Sequence, residues 1–522
     1  MGKKGHGKSA AKAKTYVKAE TPPQPTTKRA LTTRKQNELN QLVETLHKVS
    51  SSLKSAPGVL KDWENYLEIN RLLEKIQNIE KHLAPPPVDR SSYFEEFHEW
   101  LVSNGAKIDG IKVSEFPGYE YGLKADKDFE RGDLLLSIPR KLMLTVERAK
   151  ESVLGSLLTS DAVLQHMPNV ALALTLLVEK FSPESFWKPY INTLPAKYTT
   201  VLTFKPNELQ ELKGSPTLET ALKQCRNIAR QYAYFHKVFQ TMDDPASMLL
   251  RDVFTYEQYR WAVSTVMTRQ NFVPGDDQAG VLKSEKSPAL INAFIPMWDM
   301  CNHTNGELTT DYEEDGGGRS ICHALMSFPK GSQIFIFYGS RPNSDLLVHN
   351  GFVFPRNEHD SLALRLGVSK GDPLHPLRTA LLSKIPPKLP FFSNATPPTD
   401  FSLLPGPQPV DGQLLAFLRV FAMGKEQLEH WLESDHSCDL VHPDCAVDTQ
   451  VESRAWNFLL TRVRLLLSAY SSTLKEDYMI LEKDAQKTEV LTDCQRLAIQ
   501  LRVCEKEILQ GAVEYAEQRL RP

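Results

Sequence analysis

Residues 298–306 read Trp298-Asp299-Met300-Cys301-Asn302-His303-Thr304-Asn305-Gly306. A strand-like run, Ala293 to Trp298, leads into this stretch, and a polar Asn-His pair precedes the turn signal Asn305-Gly306. Taken alone, such a pair reads as a turn and cap, because its side chains satisfy backbone groups at a strand end. Further along comes a second strand-like run, Ser332 to Tyr338, closed by Gly339. Tyr338 alone reads as half core and half surface. Upstream lie three short strand-like pieces broken by Gly and Pro: Ile111 to Val113, Gly122 to Ala125 and Leu134 to Ile138. Between these and Ala293 the periodicity is helical over Val170 to Phe181, Leu218 to Phe239 and Tyr256 to Met267. The pattern predicts a β-rich unit split by a helical insert.

The flanks are helical too. Leu39, Leu42, Val43 and Leu46 fall at helical spacing, and a second stretch from Trp63 to Leu83 ends at Pro85-Pro86-Pro87. Ser92 and Glu95 suggest a capping box for a helix through Trp100 and Leu101, closed by Asn104-Gly105. Residues 384–410 are proline-rich and read as an irregular connection. Beyond them, Leu414 to Phe421, Trp456 to Tyr470 and Leu491 to Leu520 have helical periodicity.

The chain has 522 residues, with 62 basic and 64 acidic side chains and a net charge of -2. That balance gives no polyelectrolyte character, which argues against a nucleic-acid partner. Basic residues do crowd residues 1–35, which read as a solvated tail or a nuclear address. No run reaches the roughly 18–20 apolar residues of a membrane span. The start lacks the apolar core of a signal peptide. Met1-Gly2 has His6 where a myristoylation motif has Ser or Thr. Seven scattered cysteines fit a reducing compartment, cytoplasmic or also nuclear, better than a disulfide framework.

The Asn302-His303 and Tyr338-Gly339 motifs together resemble the cofactor-side motifs of SET-domain methyltransferases. Gly122-Leu123-Lys124-Ala125 with Gly132 and Leu134 resembles the first SET strands, and Ser185 to Pro195 resembles the insert of the rubisco large-subunit methyltransferase subgroup. Leu414 to Phe421 is similar to the rubisco-substrate-binding-like domain of that subgroup. Gln231 to Phe235, Arg260 to Ser264 and Met267 to Asn271 are similar to its histidine-directed branch, whose protein substrate is actin. The resemblance covers roughly residues 60–512.

The resemblance implies an α+β fold: a β-rich SET domain with a knot-like crossing, split by a helical insert and followed by an all-helical C-terminal domain. The boundaries expected are a tail at 1–35, a helical segment at 36–90, the SET domain at 91–356 with its insert at about 146–290, and the helical domain at 357–512. It implies S-adenosyl-L-methionine as methyl donor and actin as partner of a monomer. Tyr119, Tyr121, Arg269, Asp299, Asn302, His303 and Tyr338 fall at cofactor positions, with Arg269 toward the methionine carboxylate. Tyr338 also falls where the cofactor and substrate channels meet. Arg90, Asn271, Trp298, Ile336 and Arg341 fall at substrate positions, in a groove between the SET unit and the insert. Arg90 and Arg341 equally read as solvent-exposed charges.

One loop departs from the family. Similar enzymes have an acidic residue, Gly, an aromatic residue and Gly, whereas this chain has Tyr119-Glu120-Tyr121-Gly122. An acidic side-chain contact at 119 is lost, and Glu120 is a poor residue if its backbone needs positive φ.

The nucleophile decides between substrates. A lysine must lose a proton from a group of reference pKa near 10.4, whereas imidazole, near 6.5, is mostly neutral at pH 7. A histidine enzyme therefore needs help with tautomer choice. The Asn271 amide oxygen suits that task by accepting from one ring N–H and leaving the other nitrogen free. By itself Asn271 reads as a helix-end cap. A lysine methyltransferase of the same subgroup and a non-catalytic SET-fold binding protein are the competing readings. His436, Cys438, His442 and Cys445 lie within ten residues, but their order matches no usual structural zinc pattern, so a loop is expected. The polar stretch Phe272 to Ser287 reads as a loop beside the pocket.

Overall fold

The computed structural model describes residues 31–52, 59–83, 89–275, 290–313, 317–385 and 400–521. Most of the basic tail, the prolines at 85–87, residues 276–287 of the pocket-side loop and the proline-rich 386–399 lie outside the described residues.

Short strands build three small sheets. Ile111–Phe116 pairs antiparallel with Glu120–Ala125, which pairs with Gln333–Ile336, and this last strand runs parallel to Asn302–His303. Leu134–Pro139, Arg319–His323 and Thr310–Glu313 form a second sheet. Leu144–Thr145, Leu290–Phe294 and Asn271–Pro274 form the third. Asn271–Pro274 leaves the last helix of the insert directly and pairs with the strand that returns to the SET core, so this sheet sews the insert shut.

Helix ends follow local chemistry. The first helix, Thr33–Ser51, starts slightly before the expected boundary because the Thr32 side chain caps it. The anticipated Ser92–Glu95 capping box is not formed. Asp89 caps the preceding short turn by accepting from the Ser91 N–H, and helix Phe94–Ser103 has no side-chain cap. Asn104 does end that helix, with Gly105 at φ 85°. In the insert, Pro168–Phe181 is apolar almost all round and buried, while Thr217–Thr241 turns one face inward.

The C-terminal unit is helical and also carries a two-stranded ribbon, Leu362–Arg365 against Asp400–Leu403. Its core centres on Leu414, Leu415, Phe417, Leu418, Val451, Leu459 and Leu509, each worth about 1.5–3 kcal/mol when buried. The last helix, Asp493–Arg519, belongs to two cores. Ala498, Leu501 and Cys504 pack into the SET and insert core, and Ile508, Leu509, Ala512 and Ala516 pack into the C-terminal one.

Polar ties reinforce that junction. Arg502 meets Glu211 at 2.6 Å and Asp477 at 2.5 Å, and Lys506 meets Asp477 at 2.6 Å. Glu505 accepts hydrogen bonds from Ser215, Thr217 and Tyr470. Burial nevertheless pushes its carboxyl up to about 7. A folded-state value above the unfolded one means that the protonated form is favoured. The associated stability is complete at acid pH and is lost as pH rises through about 7. Wild-type protein should therefore melt a few degrees lower at about pH 8 than at about pH 6. Glu505→Gln, neutral throughout, should show a smaller drop by calorimetry. An equal drop in both would assign the loss to another group, such as buried Glu80.

Candidate active site

The Asn302-His303 strand and the Tyr338 segment lock together atom by atom. The Thr304 N–H donates to the Ile336 carbonyl at 3.0 Å. The Tyr338 N–H donates to His303 Nδ1 at 3.2 Å, and the Tyr338 hydroxyl donates to the Cys301 carbonyl at 2.6 Å. His303 is enclosed by Phe337, Tyr338, Phe352 and Phe354, with ring centroids 5.1–6.0 Å away. Burial, then the charges of Arg341 and His359, push its pKa down to about 4. The ring is neutral at pH 7, and because Nδ1 accepts, Nε2 carries the proton.

The hairpin before Gly122 lies against this lock. Asn302 Nδ2 donates to the Tyr121 carbonyl at 3.0 Å. A Cβ on Gly122 would lie 2.8 Å from Asn302 Nδ2 and would also meet the Gln333 amide, so a side chain there must displace both amide ends. Tyr119 is exposed and edge-on to Phe335, 5.6 Å between centroids. Glu120 has φ 61°, a conformation for which glutamate is a poor residue, at a cost on the order of 1 kcal/mol. Arg90, expected on the substrate side, instead sits against this hairpin. Its guanidinium is 4.6 Å from the Tyr121 ring centre and 2.9 Å from the Glu120 carboxylate.

On the other side of Tyr338 opens a cavity of about 1020 Å³. Trp298, Asp299, Ile336, Tyr338 and Arg341 line it from the SET unit, Asn271 and Arg269 from the insert's end, and Gln231, Val263 and Met267 from deeper in the insert. Trp298 follows Met297, which is buried with φ 71°, a strained backbone that starts the short 3-10 turn Trp298–Met300. Asn271 stands at the junction of helix end and cavity. Its Nδ2 donates to the Arg269 carbonyl at 3.2 Å, capping helix Tyr256–Arg269, while the residue lines the cavity. With the nitrogen committed, the amide oxygen is the atom left to accept from a ligand.

Arg269 donates to the Asp299 backbone carbonyl at 2.6 Å and lies 3.6 Å from its carboxylate. The Tyr190 hydroxyl also donates to that carboxylate, whose side chain is only 1% exposed. Burial opposes the Arg269 charge, but Asp299 and the surrounding tyrosines outweigh it and hold the pKa above the ordinary value. Asp299 is thus the counter-ion of Arg269. Arg269 Nε and Asp299 Oδ1 are buried without hydrogen-bond partners. These atoms and the Gly122 cradle suit a polar ligand with a flat ring, in keeping with an S-adenosyl group. Tyr338 bonds to the His303 ring and also lines the cavity.

Sequence reasoning missed several lining residues. Gln270 accepts from Asn292 at 2.7 Å, and Gln231 accepts from the Tyr259 hydroxyl at 3.0 Å on the inner face of Thr217–Thr241. A glutamine on an otherwise apolar helix face was the available signal for Gln231. His436, Cys438, His442 and Cys445 stand apart from the site. Among the described residues no group of three or more His, Cys, Asp or Glu side chains is arranged to hold a metal. Their loop is organised by buried Arg419, which donates to the Leu440 and His442 carbonyls and meets Glu452 at 2.7 Å.

The parallel pairing of Asn302–His303 with Gln333–Ile336, the split β-rich unit and the Tyr338 junction define a SET-domain protein, and the SET domain pattern matches residues 120–339. The Rubisco LSMT substrate-binding pattern matches residues 369–509. A solved structure of Rubisco LSMT bound to AdoMet is similar with a TM-score of 0.62 and 23% identity, covering 82% of this chain and 92% of that one. Actin-histidine N-methyltransferases of Gallus gallus and Homo sapiens are each 42% identical over 487 residues, 92% of this chain and 77% of theirs. The chain belongs to the actin-histidine N-methyltransferase family of SET-domain proteins.

Gly122→Ala should force Asn302 and Gln333 apart. We expect a loss of about 1 kcal/mol in chemical denaturation, the scale of the Asn302–Tyr121 hydrogen bond that the displaced amide gives up. Unchanged stability would show that the hairpin moves freely from Asn302.

Proposed function

We propose that this chain transfers a methyl group from S-adenosylmethionine to the distal ring nitrogen of a histidine side chain of actin. The observation that carries the reading is Asn271, whose committed nitrogen leaves its oxygen as the acceptor in the cavity beside Trp298 and Tyr338. The Gallus gallus and Homo sapiens relatives are named actin-histidine N-methyltransferase, which supports actin histidine as the acceptor.

When bound, the donor supplies a methyl already activated on a sulfonium, so no metal or covalent enzyme intermediate is required. The chain's work is alignment and exclusion of water. Asn271 would accept from the proximal ring N–H and so present the distal lone pair. Trp298 would wall the ring flat. Tyr338 cannot serve as a base. Burial first, then Cys301, holds its hydroxyl pKa far above the ordinary phenol value, and its proton is given to the Cys301 carbonyl. That suits a neutral imidazole nucleophile, which keeps a free lone pair without a base. An unassisted lysine would stay protonated. The hairpin Tyr119 to Gly122, with Asn302 and His303, would hold the adenosine part. The groove between insert and SET unit would take an extended actin segment, with Ile336 and Arg341 along it. The cysteines described are all unpaired, in keeping with a cytosolic or nuclear protein.

Unmethylated actin incubated with this protein and S-adenosylmethionine should gain one methyl group on a histidine by mass spectrometry. Asn271→Ala should lower kcat/KM by at least about tenfold, a tautomer-selecting hydrogen bond being worth roughly 1.5 kcal/mol. Methylation confined to lysines of other proteins would replace the proposal with the lysine reading. The pH dependence of kcat/KM should rise through about 6.5, the imidazole range, and then level off. Continued increase toward about pH 10 would point to lysine.

A further inference from the structure

Two arginines stand near each other beside the hairpin, and their counter-ions differ. The Arg269 counter-ion, Asp299, is 1% exposed and fixed by Tyr190, so it cannot be exchanged. Arg90 is as enclosed as Arg269, their side chains 11% and 13% exposed, but its counter-ion Glu120 is 68% exposed and lies 2.9 Å away. A guanidinium so enclosed is costly without a negative partner. Arg269 adds repulsion. Glu120 meanwhile holds a backbone conformation, φ 61°, that favours glycine. A carboxylate has been set at a strained position where, among the described residues, its ion pair is with Arg90.

Resting on the S-adenosyl reading above, we infer that Glu120 is an internal stand-in for the carboxylate of the incoming donor's amino-acid part: it neutralises Arg90 before binding and yields it on binding. Water stabilises the released Glu120, while Arg90 is never left alone. Glu120 thereby weakens the grip on ligands that carry the carboxylate and leaves those without it untouched.

The test is calorimetric binding to the full chain of S-adenosylhomocysteine and of 5′-methylthioadenosine, which keeps the nucleoside and thioether but lacks the amino acid. Glu120→Gln removes the charge and keeps the backbone position. It should tighten S-adenosylhomocysteine about three- to fivefold, the scale of one exposed ion pair, and leave methylthioadenosine unchanged. Arg90→Met should erase most of the preference for S-adenosylhomocysteine, and Glu120→Gln added to it should have no effect. Unchanged or weaker S-adenosylhomocysteine binding in Glu120→Gln, or an equal gain for both ligands, overturns the exchange and leaves the S-adenosyl reading intact. Wild-type protein that binds neither ligand overturns both.

Discussion

The Tyr338 segment is tied to the Asn302-His303 strand by two hydrogen bonds from one residue, and both sides of the site depend on that tie. The backbone N–H reaches back to the His303 ring and the hydroxyl reaches the Cys301 carbonyl. The first fixes a neutral ring in one tautomer inside an aromatic cage. The second holds the phenol ring at the cavity wall. Because the paired segments are far apart in sequence and run parallel, no hairpin can form the tie locally. It exists only when the sheets and the insert are in place.

The same requirement explains the strain around it. Met297 and Glu120 both hold positive φ, one entering the turn that carries Trp298 and the other in the hairpin beneath Asn302. Neither conformation survives in isolation. Each persists where surrounding packing over-determines it, and both flank the point where ligand and chain would meet. Gly122 is the complement, a position where an added Cβ would meet the Asn302 and Gln333 amide ends.

Much of this was legible in the sequence. Alternation of Gly-broken strands with a helical stretch gave the split β-rich unit, and the long helices appear where their periodicity set them. The departure at Glu120 was visible in the loop's sequence, though whether its backbone takes positive φ was not, and it does. Asn271 read as either cap or site residue; it caps the helix end and lines the cavity, and the cap uses only one of the two amide atoms. What stayed hidden was pairing at a distance. The Arg90–Glu120 contact, the Arg269–Asp299 pair and Gln231 beneath Tyr259 each depend on which elements pack together, and no local spacing encodes that. The ribbon Leu362–Arg365 was missed because four residues are too few to show alternation, and its partner lies beyond a proline-rich stretch. The Cys/His loop drew attention by composition, whereas Arg419 in an apolar run was the residue that organises it.

The last helix has a bearing on how the chain is made. Ala498, Leu501 and Cys504 fill a gap in the core of the SET unit and its insert, and Glu505 and Arg502 meet Ser215, Thr217 and Glu211. At a synthesis rate of about 5–20 residues per second, roughly ten to fifty seconds separate the insert's long helix from the helix that covers it. Through that interval a nascent chain carries an open apolar seam and a carboxylate-accepting pocket without its acid. The unit with the chemistry is thus born unfinished, and its final helix works as a keystone set after the arch is built.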